Sequence, residues 1–382
     1  MFVLDGLVAT LLPLVAIISL LLFIILPLLV FIIFIFFDID LPSLSEFEEY
    51  VMLSRGGRVR VPFRRNPLIS PREMQSLTLA NEFEISPGDV VQVKDILSKA
   101  RNLPPELVDM ILDRAEYWAC STAVASYSNQ PRHRLVIPGA HLDQNKFLLR
   151  TKPLGLTKWS PSSQVLWKAE CPPKQLEKEY PESKFETLME NTVSTLEYPF
   201  RKVVFDIVSC DQGYSSHRED HGTYRNSWTW FDAGLERFDM NNKCLPKCPD
   251  RKDTVHSSDA ADIPTCAIRS IWPPVEPITS RSPEMQYQHE LLPTSDHLIQ
   301  RNKHAERDMQ HYRVEWYWND DVDPDSPEAE TLREMGRGAG TGNGEFVRNL
   351  KFGDMITIWG RARFPGWANY VQRVEVKVYW AS

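Results

Sequence analysis

From Gly6 to Phe37 the chain runs 32 residues without one charged side chain, and 25 of them are Leu, Ile, Val or Phe. A bilayer core needs about 20 apolar residues in a helix. At roughly −0.3 to −0.6 kcal/mol for each such residue, insertion is favoured by something on the order of 10 kcal/mol. Pro13 and Pro27 interrupt the run, but membrane helices accept proline where the freed carbonyls find partners. Residues 6–37 therefore read as a single transmembrane helix. A cleavable leader would need a basic start, a shorter core and a small-residue cleavage site. None is present: the first basic residue is Arg55, and FFDIDLPS follows the run. A hairpin turning at Pro27 is the remaining alternative.

The basic residues set the expected orientation. Arg55, Arg58, Arg60, Arg64 and Arg65 follow the span, and nothing basic precedes it. That bias places the C-terminal bulk in the cytosol. Residues 38–85, acidic at first and then basic with Gly and Pro interspersed, read as a flexible tether. The net charge of −8 excludes a general nucleic-acid binder, which needs a strongly basic face. Six scattered cysteines do not form a disulfide scaffold,.

Ser86-Pro87 is an N-cap followed by proline at the first helical position, so a helix is predicted to about Arg101 with Val90, Val93, Leu97 and Ala100 on one face,. A second helix from Pro104-Pro105 would place Leu107, Ile111, Ala115 and Trp118 together,. Residues 86–133 are thus expected to form a small helical clip. From Arg134 the pattern turns to strands: LVIPG, KFLLRTKPLGL, SQVLWKA, Val203 to Cys210, Tyr312 to Trp318, a strand opening at Ile356 and one ending at Trp380,. A polar helix is expected around Gln175 to Leu188. Strands with few helices between them predict a mainly β fold, an antiparallel jelly-roll-like β-sandwich over residues 134–382. The proline-rich, serine-rich stretch 237–311 is expected to be a loop insertion, closed by a polar helix near His297 to Gln310.

Several polar clusters invite a chemical reading. DQGYSSHREDHGTY, Asp211 to Tyr224, directly follows a strand. His217, His221 and Asp220 are ligand types that hold a metal, and a metal-dependent hydrolase is one alternative. Gly213 and Gly222 flank the cluster, which favours a hydrogen-bonded loop. Cys244, Cys248, His256 and Cys266 could form a small zinc knuckle. GRGAGTGNG (Gly336 to Gly344) follows a short helix capped by Ser326-Pro327 and precedes a strand, the reverse of a dinucleotide fingerprint,. No cofactor and no catalytic constellation is therefore expected. FPGW (Phe364 to Trp367), flanked by Arg361 and Arg363, reads as a turn carrying an exposed tryptophan. Trp beside Arg is typical of a protein-binding hot spot, and a carbohydrate-binding surface has the same composition. Arg361, Arg363, Trp367, Asn369, Tyr214 and Tyr224 are the expected contact residues, provided that both segments lie at one end of the β domain.

Two resemblances attach to these words. LPPELVDMIL (Leu103 to Leu112) resembles the opening helix of an F-box, an adaptor that docks on ubiquitin-ligase scaffolds. VFDIVSCDQGYSSHREDHGTYRNSWTWF and GDMITIWGRARFPGWANYV, together with the upstream helix, resemble segments shared by a group of uncharacterised fungal proteins. That resemblance implies a shared domain from about Leu103 onward, and no activity. The expectation is a membrane-anchored binding module with the membrane and a protein as partners.

Overall fold

The computed structural model describes residues 84–140, 142–190, 196–242, 248, 263–278 and 284–381. The expected span at 6–37 and nearly all of the tether lie outside them. Among the described residues no helix is long and apolar enough to cross a membrane.

Two helices come first. In α1 (Pro87–Arg101) the Ser86 hydroxyl accepts the Asp89 N–H, and the Asp89 carboxylate accepts the Ser86 N–H. This reciprocal cap fixes where the helix starts. In α2 (Pro105–Arg114), Val108 and Leu112 are buried, joining Val90 of α1 in the main core. Of the expected inner face, Leu107 and Ile111 are exposed, while Trp118, beyond the helix end, is buried. Spacing alone does not separate the two faces, because both carry apolar residues four apart.

The helical clip ends sooner than expected. Residues 119–126 form β1 (Ala119–Ser126), not a helix, and the stretch holding the F-box-like wording runs directly into this strand. There follow β2 (Leu135–Pro138), β3 (Asn145–Arg150), α3 (Gln164–Lys168), α4 (Glu182–Glu186), β4 (Phe200–Cys210) and β5 (Thr229–Phe238). SQVLWKA is thus mainly helical, begun by a Ser163 cap onto the Leu166 N–H. The expected helix over 175–188 shrinks to α4.

The insertion at 237–311 is corrected more strongly. It contains β6 (Ile268–Trp272), β7 (Val275–Pro277), β8 (Met285–Tyr287) and β9 (Leu298–Arg301). Both β6 and β9 pair with β5, and Leu298 and Ile299 are buried. Strands of three to five residues show too little alternation to register against surrounding prolines. The predicted helix at 297–310 is therefore a short strand and a turn. The chain closes with β10 (Gln310–Tyr317), α5 (Pro327–Glu334), α6 (Glu345–Arg348), β11 (Met355–Ala362) and β12 (Ala368–Trp380). Gly336 to Gly344 leads into α6 before the strand, and it is a tight turn-and-helix connection.

The result is a mainly antiparallel β fold. One five-stranded sheet has the order β1-β12-β4-β10, with β2 on the first residues of β12; the other has β3-β11-β5-β6, with β9 also on β5. Val374, Val376 and Val378 alternate inward along β12 as predicted, and they share one hydrophobic cluster with Phe205 and Ile207 of β4 and Ile356 and Ile358 of β11. Glu375 and Lys377, on the opposite face of β12, are buried as well.

One glycine links the fold to the site. A Cβ on Gly139, just after β2, would lie 2.4 Å from the Phe364 carbonyl oxygen and 2.7 Å from the Arg363 carbonyl carbon. The obstructing atoms are all backbone, so nothing flexible is there to yield. Gly139→Ala is expected to lower the stability of the chain by about 1–3 kcal/mol, read as a fall in the denaturant midpoint, and an unchanged midpoint refutes it.

Candidate functional site

Three loops meet at one end of the sheets. The first leaves β4 at Asp211, the second follows β9, and the third is the Phe364–Trp367 turn between β11 and β12. Asp211, fully buried, ties two of them: its carboxylate oxygens accept the Gly213 N–H at 2.7 Å and the Ala305 N–H at 2.6 Å. Burial nevertheless pushes this carboxyl up to about 6, outweighing those two amides,. The Gln212 side-chain oxygen accepts the Ala368 N–H at 3.2 Å, joining the first loop to the third.

His304 occupies the centre of this junction. Its N–H donates to Thr223 O, its carbonyl accepts the Gly222 N–H, and its Nδ1 lies 2.9 Å from Arg225 O. A carbonyl only accepts, so Nδ1 carries a hydrogen in this contact. His304 is fully buried, and Nε2 has no hydrogen-bond partner among the described residues. The ring meets Trp367 edge-on at 5.1 Å and stacks beside His221 at 5.8 Å.

Around these groups opens a cleft of about 490 Å³, whose walls include Gln212, Tyr214, His217, Trp228, His304 and Trp367. Tyr214 is 72% exposed at its rim. Phe364 braces Trp228 edge-on at 4.6 Å. Aromatic rings with hydroxyl and amide groups around one concavity suit a ligand with an apolar ring face and hydroxyl groups.

The Asp211–Tyr224 loop and the Phe364 turn thus lie together, and Tyr214, His217 and Trp367 share the cleft. Tyr224 lines an adjoining opening instead. Three expected contact residues sit elsewhere. Arg361 is buried, its Nε donating to Asp232 at 3.0 Å and its guanidinium contacting His289 Nδ1 at 2.7 Å. Arg363 is buried and donates to the carbonyls of Gln144, Ala362 and Glu290. Asn369, fully buried, bonds Asn302 and the carbonyls of Trp230 and Arg361. All three hold the strands together. Flanking a turn in sequence does not place a side chain outside when strand residues on both faces are covered.

The metal reading finds no assembled ligand set: among the described residues no three His, Cys, Asp or Glu side chains converge. Asp220 accepts Asn226 Nδ2 at 2.7 Å and pairs with Arg225, while His221 Nε2 donates to Ser215 O. Cys244 and His256 of the expected knuckle lie outside the described residues. His304 and Trp228 were not singled out by the sequence. His304 falls in RNKHAERD, whose polarity mimics a solvated helix. No family model, curated protein or solved structure matches the chain.

Proposed function

We propose that this chain is a membrane-anchored binding protein whose antiparallel sheets pack as a β-sandwich and present a saccharide-binding cleft at one end. The uncharged stretch Gly6–Phe37 supports the anchor, and the arginines that follow it support a cytosolic position for the sheets. The core shared by both sheets supports the sandwich. The observation that carries the binding function is the cleft itself. Trp228 and Trp367 offer aromatic surface to the C–H side of a sugar ring, and the exposed Tyr214 and the Asn226 side chain offer polar groups to its hydroxyls. A concave pocket of this size favours a small ring-bearing ligand over the flat surface of a protein partner.

The test is retention of the purified full-length chain, in detergent, on a panel of immobilised saccharides. Trp367 sits on an exposed turn, so Trp367→Ala is expected to keep the fold and weaken retention by about 10- to 100-fold, as loss of an aromatic anchor does. Retention of no saccharide, or equal retention by the variant, overturns the proposal.

A further inference from the structure

A second opening of about 490 Å³ adjoins the aromatic cleft, and Asn226 and Trp228 line both. Four arginines surround it: Arg225, Arg301, Arg333 and Arg337, with Tyr224 on one wall. They come from three places in the chain, the loop before β5, the end of β9 and the α5 region. The cluster is a product of the fold and not of a basic run in a chain whose net charge is −8.

The four differ in how their charge is met. Arg225 pairs with Asp220 at 3.4 Å, and Arg333 with Glu330 at 2.9 Å; Arg225 and both members of the second pair are solvent-exposed. Arg301 and Arg337 sit deeper, and no carboxylate oxygen of the described residues lies within 4.0 Å of either. Among the described residues the Arg301 guanidinium donates to one backbone carbonyl, that of Ser227 at 2.8 Å. Arg337 donates from one terminal nitrogen to Arg313 O at 3.0 Å, and its Nε is buried without a hydrogen-bond partner among the described residues. Burial lowers both guanidinium groups from their ordinary value, with Asp232 acting on Arg301 and Glu315 on Arg337 from farther off. A half-buried cation with no carboxylate in contact is costly to hold, and an arriving anion relieves that cost.

We infer that this opening binds the tetrahedral oxyanion of a phosphate monoester. Several guanidinium groups around one opening offer more N–H donors than the two oxygens of a carboxylate accept, whereas a monoester presents three charged oxygens. The wall shared with the aromatic cleft lets one ligand place its ring against Trp228 and its phosphate among the arginines. The anion site itself stands on different residues from the saccharide reading.

The experiment is calorimetric titration of the full-length chain in detergent with inorganic phosphate, at an ionic strength held constant with chloride. Saturable binding is expected. Arg337→Gln and Arg301→Gln should each weaken it by about 10- to 100-fold. Arg333→Gln, at an exposed site where misfolding is not a concern, should weaken it by a smaller factor, and Arg218→Gln, outside the opening, should leave it unchanged. Glucose 6-phosphate and glycerol 3-phosphate distinguish the sources of the group. A clear gain over inorganic phosphate for the first assigns a sugar monoester, and for the second a lipid-type headgroup. Trp367→Ala should leave phosphate binding intact, so failure of the saccharide reading and failure of this one are separable. Phosphate that binds no better than chloride, or binds all the arginine variants equally, overturns the inference.

Discussion

Between pH 7 and pH 5 the chain is expected to lose stability because two histidines are folded in as neutral rings. Arg361 donates to Nδ1 of His289 at 2.7 Å, so that nitrogen holds a lone pair, and protonating it would set one cation against another. Burial, reinforced by Arg361 and Arg363, lowers His289 to about 3. His297 lies flat on Trp272, with ring centroids 4.1 Å apart, and its Nδ1 donates to Ala233 O. Burial lowers it to about 4. Both folded values lie below the ordinary histidine value of 6.5. In the window between, the unfolded chain binds protons that the folded chain refuses, so stability is present above 6.5 and lost as pH falls. The linkage loss at pH 5 is up to about 2 kcal/mol for each ring. Asp211 acts in the opposite sense: its folded value of about 6 exceeds the ordinary 3.8, and it returns about 1 kcal/mol over the same interval. The net loss is therefore roughly 2–3 kcal/mol. Denaturant unfolding of the full chain at pH 7 and pH 5 measures it. His289→Gln and His297→Gln should each flatten the pH dependence, whatever they do to absolute stability. A chain equally stable at both pH values would show that these rings are not held neutral.

Removing the Asp232 carboxylate is expected to cost more than any surface change. Asp232 and Arg361 are both buried, and Trp230 Nε1 also donates to Asp232, at 3.1 Å. The Arg361 guanidinium lies over the rings of Trp359 and Trp272, at 5.0 and 5.6 Å from their centroids. Burial works against both charges, raising the Asp232 carboxyl and lowering the Arg361 guanidinium, and their contact offsets it. Asp232→Ala leaves a buried cation facing apolar rings, with an expected loss of about 3–5 kcal/mol. That is a large share of the roughly 5–15 kcal/mol that keeps a domain folded. The double change Asp232→Leu with Arg361→Met should recover most of the loss, since apolar replacement of a buried pair is often neutral. A single variant with the wild-type denaturant midpoint contradicts this account. Because His289 leans on Arg361, its effect and that of Asp232 should not add.

The strands with long alternation were legible in the sequence: β4, β10, β11 and β12 lie where their patterns place them, and Val374, Val376 and Val378 face inward. The helix caps at Ser86 and Ser326 were legible too, because a cap is a local device. What escaped was decided by pairing at a distance. β1 follows α2 after four intervening residues and becomes a strand because β12 offers it an edge, Ala119 opposite Trp380 through Ser126 opposite Arg373. β6 and β9 are too short to announce themselves and depend on β5. In the site, the aromatic turn was readable and His304 was not. Its role comes from three loops closing around it, which a linear reading of RNKHAERD does not show. Arg361 and Asn369 were misplaced for the same reason, since polar strand residues became buried once partners such as Asp232 and Asn302 were brought to them.

The most direct test of the saccharide cleft looks at His304 itself. Long-range proton–nitrogen spectra of the full chain, labelled at histidine, would be recorded with and without any saccharide that the panel retains. The account requires the Nε2 signal of His304 to move on binding while that of His133, an exposed residue on the β1–β2 connection, stays in place. A retained saccharide that leaves His304 unmoved binds somewhere else, and the cleft then has no claim to it.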